Sequence, residues 1–281
     1  MIQDIYPHKL NNRYNPDAKA SSEDFVLNIS NGKLLVCKKD YDKNSLHFPQ
    51  IKDFKTDANE YIYLFAVDDR KFFFFNRTLE ENDIPAGYSY IEERSLRKEG
   101  MGPKENLFAA ITGKHLSDWY RDNRFCGRCG NKMVHSSKER AMTCEACHYT
   151  SYPRIMPAVI VGVINGDKLL ITRYRTGFAY NALIAGFTEI GETVEETVAR
   201  EVMEETGIKV KNIRYYKSQP WGSANDILFG FYCDVDGDDT ITMDREELKY
   251  AEWVKREDIV LQPGKFSLTN EMMERFKLNC E

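Results

Sequence analysis

The stretch Gly186–Ile208, GFTEIGETVEETVAREVMEETGI, leaves this chain less conformational freedom than any other segment. Thr193 and Glu196 have the spacing of a capping box, in which a hydroxyl and a carboxylate three residues apart each satisfy the other's backbone N–H. Gly207 stands where a left-handed cap ends a helix, a conformation that a residue without Cβ adopts at no steric cost. The segment therefore reads as loop, helix, stop. At about 100° of rotation per residue, Glu201, Glu204 and Glu205 share one arc, and Val198, Ala199, Val202 and Met203 share the neighbouring arc that is predicted to bury. Carboxylates at i, i+3 and i+4 repel one another unless water or a cation neutralises them, and hard oxygen donors suit Mg²⁺ or Mn²⁺. A solvated acidic face is the plain alternative for any Glu-rich helix.

The plain alternative does not account for the rest of the pattern. Gly186, Glu192, Arg200, Glu201, the aliphatic Val202, Glu204, Glu205, Gly207 and the aliphatic Ile208 fall at the spacings of the Nudix box. The segment thus resembles a Nudix hydrolase, and the resemblance implies a mixed-sheet α/β/α sandwich around it.

A second constellation lies upstream. Cys126 and Cys129, then a 14-residue spacer, then Cys144 and Cys147 form two Cys-x-x-Cys pairs. Two residues between the thiols let both sulfurs face one ion, and Gly127 and Gly130 would ease the turn. Four thiolates predict one structural Zn²⁺ per chain, closed to substrate. A redox dithiol would need a surrounding βαβ pattern that this segment lacks. An odd total of seven cysteines, four of them paired in this way, argues for a reducing compartment. Cys37, Cys233 and Cys280 read as buried or incidental thiols. The N-terminus has no signal-peptide core and no apolar run approaches a membrane span, so the cytoplasm is expected and a membrane partner is not. A formal net charge of -5 argues against strong non-specific nucleic-acid binding.

The remaining chain reads as strands with two further helices. Asn31-Gly32 between FVLNI and KLLVCKK is a hairpin signal, and YIYLFAV and KFFFFN turn over Asp68, Asp69 and Arg70. Phe72 to Phe75 predict a strand buried on both faces, because an exposed run of this kind would aggregate. Residues 106–122 have helical periodicity, with His115 read as packing rather than as a ligand. Asn165-Gly166-Asp167 joins AVIVGVI, apolar enough for a central strand, to KLLITRY. KVKNIRYY, DILFGFYCDV and AEWVK read as strands, and 268–278 as a closing helix. The fold class is α+β. The predicted domains are 1–122, β-rich with a linking helix; 123–152, the zinc ribbon; and 153–281, the Nudix domain.

Ribbon, preceding β-rich domain and the tetrapeptide Ser218-Gln219-Pro220-Trp221 after the box together are similar to the NADH pyrophosphatase family of Nudix hydrolases. The resemblance implies metal-dependent cleavage of the NAD(H) pyrophosphate to nicotinamide mononucleotide and AMP, NAD-capped RNA as a further substrate, no organic cofactor, and a homodimer. It implies that Glu201, Glu204 and Glu205 hold divalent ions together with the carbonyl of Ala185 and with Glu247, Glu246 being the adjacent alternative. Glu204 or Glu201 would be the base. Tyr152 and Phe187 match aromatic positions near the nucleotide, Tyr152 being as well explained by packing on the ribbon. Ser218, Gln219, Pro220, Trp221, Arg97 and Ser267 match substrate contacts. Where the family continues SQPW with Pro-Phe-Pro, this chain reads Gly222-Ser223-Ala224, which directs attention to a second reading, a sugar nucleotide or other nucleoside diphosphate derivative. A third, a non-catalytic nucleotide or RNA-binding regulator, has no need of an intact box.

Overall fold

The computed structural model of the chain describes residues 1–38, 45–55, 60–97, 101–177 and 179–281. They divide into two compact units, one of residues 2–154 with the turn 222–225, the other of Met1, 155–221 and 226–281. The segment of the predicted zinc ribbon lies within the first of these units.

The first unit contains β1 (Leu10–Asn11), β2 (Phe25–Leu27), β3 (Ile29–Ser30), β4 (Lys33–Lys38), β5 (Leu46–His47), β6 (Tyr61–Val67), β7 (Arg70–Phe75), β8 (Ser89–Glu92), α1 (Lys104–Asp122), β9 (Val134–His135), β10 (Met142–Thr143) and β11 (Thr150–Ser151). One sheet has the order β1-β6-β7-β2, a second β3-β4-β5 with β8 on β4, and the ribbon sheet β11-β10-β9. The first hairpin turns on Asn31 and Gly32, both at positive φ, as the sequence predicts. Lys39, the end of the KLLVCKK run, lies outside the described residues. The Phe72–Phe75 run is at most 2% exposed, so the unit's own residues cover both faces and the run offers no apolar surface to a partner. Gly113 of α1 permits close packing on β2, since a Cβ there would lie 2.0 Å from Leu27 Cδ1. Arg140 ties the ribbon to the N-terminal strands by donating to Leu64 O at 2.6 Å.

The second unit contains β12 (Met156–Asn165), β13 (Lys168–Tyr174), β14 (Ile184–Phe187), α2 (Val194–Thr206), β15 (Val210–Trp221), β16 (Asp226–Val235), β17 (Leu248–Lys255) and α3 (Leu268–Lys277). Its sheet runs β15-β16-β12-β13-β17, with β14 also on β12. β12 and β16 are parallel and the other pairs antiparallel, so the sheet is mixed and β12 is central, as expected. Alternation along β12 makes the sandwich. Ala158 and Ile160 pack with Leu268, Met272, Met273 and Phe276 of α3. Val159, Val161 and Val163 pack with Val198 and Val202 of α2 and with Cys233. Full burial of a valine of this kind contributes roughly 1.5–3 kcal/mol, so two valines fix the inner face of α2. Among the described residues, no helix is long and apolar enough to cross a membrane.

Candidate active site and zinc ribbon

The ends of α2 form as its sequence dictates. Glu196 N–H donates to Thr193 Oγ1 at 3.2 Å, Thr193 N–H to Glu196 Oε2 at 2.8 Å, and Gly207 caps the C-terminus at φ +71°. The faces are divided differently from the helical-arc expectation. The buried side is Thr197, Val198, Val202, Glu205 and Thr206, whereas Ala199 and Met203 are exposed. The buried stripe follows the i, i+4, i+8 direction, and this carries Glu205 under the helix while Glu204 remains in solvent.

Two side chains organise the carboxylates. Arg200 donates from Nε to Glu192 Oε1 (2.6 Å), from Nη1 to Glu201 Oε1 (2.8 Å) and Glu204 Oε2 (2.9 Å), and from Nη2 to Glu192 Oε2 and Phe187 O (both 2.9 Å). Its role extends well beyond an i, i+4 pair with Glu204. The forked contact on Glu192 locks the guanidinium to the loop and pulls that carboxyl down to about 2. On the opposite side, Tyr174 donates to Glu205 Oε1 at 3.2 Å and accepts the Ala185 N–H at 3.0 Å. Neither the Glu192 fork nor Tyr174 is evident from helical periodicity, because both act across elements far apart in the chain.

Gly186 is required by space. A Cβ there would lie 1.9 Å from Glu201 Cδ and 2.0 Å from Oε1, so the carboxylate rests against the glycine's bare α-carbon. Burial is the main cause that raises Glu201 above its ordinary value, with the Glu204 and Glu247 charges adding to it. Glu205, 2% exposed, is pushed up to about 8, chiefly by burial and then by Glu201 and Glu247. The Glu247 charge is among the causes that raise both. The buried Glu205 Oε2 has no hydrogen-bond partner among the described residues. An orphaned carboxylate oxygen and a second carboxylate in a glycine cradle are hard oxygen donors of the kind that suits a divalent cation, although among the described residues only the four cysteines bring three or more such ligand atoms within 4.8 Å of one another.

A pH dependence follows. Glu205 has an ordinary value of 4.5 and is raised to about 8 in the fold, so between these values the folded chain holds a proton that the unfolded chain has released. Its stabilising effect is complete below about 4.5 and is lost as pH rises through about 8. In chelator, the wild-type chain should melt several degrees lower at pH 8 than at pH 5, relative to Glu205→Gln, at about 2–4 °C per kcal/mol. Identical pH slopes for the two chains would remove the assignment of a buried, raised carboxyl.

The other matched residues separate into two groups. Phe187 is 49% exposed and Tyr152 56% exposed, the Tyr152 hydroxyl donating to Glu139 Oε1 of the ribbon at 2.9 Å. Ser218 to Trp221 form the last four residues of β15. Gln219 is fully buried: its Nε2 donates to Phe266 O at 2.8 Å and its Oε1 accepts the Leu268 N–H at 2.7 Å, so it fixes the entry to α3. Ser267 is the N-cap of α3, accepting from Asn270 N–H at 3.1 Å and donating to Gln262 Oε1 at 2.8 Å, which accounts for its hydroxyl. Arg97 lies in the first unit, its Nε 3.0 Å from Glu93 Oε1. Gly222–Asn225 is the β15–β16 turn, where a Cβ on Gly222 would meet Ile111 O at 2.8 Å and Ser223 Oγ donates to Glu93 Oε1 at 2.8 Å.

In the ribbon, Cys126, Cys129, Cys144 and Cys147 place all four sulfurs within 4.8 Å of one another, with Sγ–Sγ separations of 3.4 to 3.6 Å for three of the pairs. Zinc–sulfur bonds of about 2.3 Å in a tetrahedron require about 3.8 Å, so the cluster fits one structural Zn²⁺. Each knuckle closes on the residue four after its first cysteine. Gly130 N–H donates to Cys126 O and His148 N–H to Cys144 O, both at 2.8 Å and both at positive φ. Gly127 is not at positive φ, so only Gly130 matches the turn role expected of the two glycines. His115 donates to or accepts no ribbon sulfur; its Nε2 lies 2.8 Å from Arg154 O, a packing role.

Comparison with known proteins accords with this geometry. Residues 154–276 match the NUDIX domain, and residues 121–152 match the NADH pyrophosphatase zinc ribbon domain. The NAD-capped RNA hydrolase NudC of Shigella flexneri is 42% identical over 171 residues, covering 60% of this chain and 65% of that protein. The protein of the same name from Klebsiella pneumoniae (strain 342) is 42% identical over 172 residues, with the same coverage. The chain thus spans 65% of the length of these relatives. Among solved structures, a NUDIX hydrolase from Nitrosomonas europaea aligns with a TM-score of 0.49 at 20% identity, over 56% of this chain and 91% of that one.

Proposed function

We propose that this chain, which carries a Nudix domain behind a zinc ribbon of the NADH pyrophosphatase type, hydrolyses the pyrophosphate bond of NAD(H) to nicotinamide mononucleotide and AMP, and removes the NAD cap of RNA by cleaving the same bond, which releases nicotinamide mononucleotide and leaves a 5′-monophosphate end. The observation that carries the reading is the assembled box: Glu201 cradled on Gly186, Glu204 held by Arg200, and Glu205 buried with one oxygen unpartnered. Similarity to NAD-capped RNA hydrolases supplies the substrate class.

In this reading Glu201, Glu204, Glu205, Glu247 and the Ala185 carbonyl hold Mg²⁺ or Mn²⁺. Such an ion supplies positive charge to the phosphate oxygens and makes water a stronger nucleophile at neutral pH. The chain's own residues do the rest. Arg200 keeps two carboxylates at fixed separation from the loop, and Glu204 or Glu201 accepts the proton of the attacking water. Glu204 is the more exposed of the two and stays nearer the solvent from which that water comes. Phe187 in the one unit and Tyr152 in the other are each exposed, and an aromatic ring of either kind can stack on a base, an interaction of about 1–3 kcal/mol. The protein acts in the cytoplasm as a homodimer.

One observation favours a second reading. Gly222–Asn225 replaces the stiff Pro-Phe-Pro of the family by a turn whose Gly222 and Ser223 are committed to packing, so this turn offers no aromatic ring to a nicotinamide or adenine. A sugar nucleotide is then the competing substrate. The test is hydrolysis of NADH, an NAD-capped oligoribonucleotide and UDP-glucose with Mg²⁺ or Mn²⁺, ranked by kcat/KM. NADH or the capped oligomer should lead, with AMP and reduced nicotinamide mononucleotide as the NADH products; UDP-glucose in the lead with NADH at background would replace the reading by its competitor.

A further inference from the structure

The C-terminal end of β13 touches more of the candidate ligand set than any motif would suggest. Its register on β17 is regular from Lys168 to Arg173 and then shifts, Arg173 facing Tyr250 and Tyr174 facing Leu248. A bulge at the end of a strand re-aims the side chain that follows it. Here it directs Tyr174 toward β14 and α2 at once. The phenol oxygen accepts the Ala185 N–H at 3.0 Å, and its proton faces Glu205 Oε1 at 3.2 Å and Ala185 O at 3.4 Å. One residue on, the Arg175 N–H donates to Glu247 O at 2.9 Å and its Nη1 to Arg245 O at 2.9 Å, pinning the backbone of the loop that carries Glu247. Just before the bulge, Thr172 and Ala182 exchange backbone hydrogen bonds at 2.9 and 2.8 Å, which tethers the approach to β14.

We propose that Tyr174 and Arg175 form a positioning element that orients Ala185, Glu205 and the backbone carrying Glu247, contributed by three separate segments, toward a divalent-cation site. The inference rests on the reading of these groups as ligands. Arg200 organises Glu201 and Glu204 from the loop side; the β13 end organises the remaining three from the sheet side. A hydroxyl suits the position because it can accept from a backbone N–H and donate to a carboxylate at the same time, which no apolar side chain and no second carboxylate can do. Tyr174 is therefore a positioning residue and does not touch substrate.

The test measures Mn²⁺ binding to the zinc-loaded full chain by electron paramagnetic resonance titration, for the wild type, Tyr174→Phe, Glu205→Gln and the double variant. Removing a group that orients a metal ligand typically weakens affinity by about 10–100-fold. Tyr174→Phe should bind Mn²⁺ at least about tenfold more weakly while its melting temperature in chelator stays within a few degrees of the wild type. In the double variant the combined loss should fall short of the product of the two single losses, because the hydroxyl acts in part through that carboxylate. Wild-type Mn²⁺ affinity in Tyr174→Phe, additive losses in the double variant, or a loss of cooperative melting in Tyr174→Phe would each overturn the positioning role. A wild-type chain that binds no Mn²⁺ would overturn both this inference and the ligand assignment beneath it.

Discussion

Glu205→Gln is expected to lower kcat on a pyrophosphate substrate by about a thousandfold and to leave the chain at least as stable in chelator at pH 8. The activity term follows from charge. A Lewis-acid cation contributes several kcal/mol to the transition state, and each ~1.4 kcal/mol is a factor of ten, so losing one anionic ligand removes about three powers of ten. The stability term follows from burial. Glu205 is 2% exposed, lacks a partner for Oε2, and feels the charges of Glu201 and Glu247. Glutamine has the same shape, keeps an acceptor for Tyr174, and removes the charge that burial penalises. An ordinary core polar residue would show the opposite signature, since replacing it would lower stability without a specific kinetic defect. Steady-state kinetics and thermal melts of the same preparation decide the matter: near wild-type turnover would remove Glu205 from the ligand set.

What could be read in the sequence was local. The capping box of α2, its Gly207 stop and the Asn31-Gly32 turn each depend on a few adjacent residues, and all are present in the fold. The four cysteines were equally legible, because two short knuckles dictate a common sulfur cluster. Quantities set by distant partners were not. Glu205 lies at the border between the two arcs of α2, and which side it takes depends on Tyr174 and on the sheet beneath it. Gln219 and Ser267 carry polar groups that a motif comparison reads as substrate contacts, yet Gln219 spans to Phe266 and Leu268 and Ser267 caps α3. A motif reports that a residue type is needed at a position, and the need can be met by the fold as well as by a ligand. The same reasoning applies to Gly222, where a backbone oxygen would lie 2.8 Å from a Cβ, so a larger residue would force the turn or α1 to shift.

Gly186→Ala separates these two kinds of need at the centre of the site. Gly186 lies in β14, opposite Val159 of β12, and it is not among the residues at positive φ, so alanine meets no backbone obstacle. The obstacle is the Glu201 carboxylate, whose three terminal atoms would lie 1.9 to 2.3 Å from the new methyl carbon. Those atoms are the far end of a flexible side chain. Glu201 can rotate away at a cost on the order of 1 kcal/mol, the scale of a displaced rotamer, while the strand and helix stay in place. Rotation withdraws it from Arg200 Nη1, which it meets at 2.8 Å, and from the carboxylates it should join around a cation. The expected result is a fall in kcat of at least about a hundredfold, the scale of a misplaced reacting group, with a melting temperature in chelator lowered by only a few degrees. A larger residue on a strand whose glycine served only packing would behave in the reverse way, costing stability and sparing turnover. Gly186→Ala with unchanged kcat would show that Glu201 does not need its place against β14, and the cradle would then have no part in holding the ion.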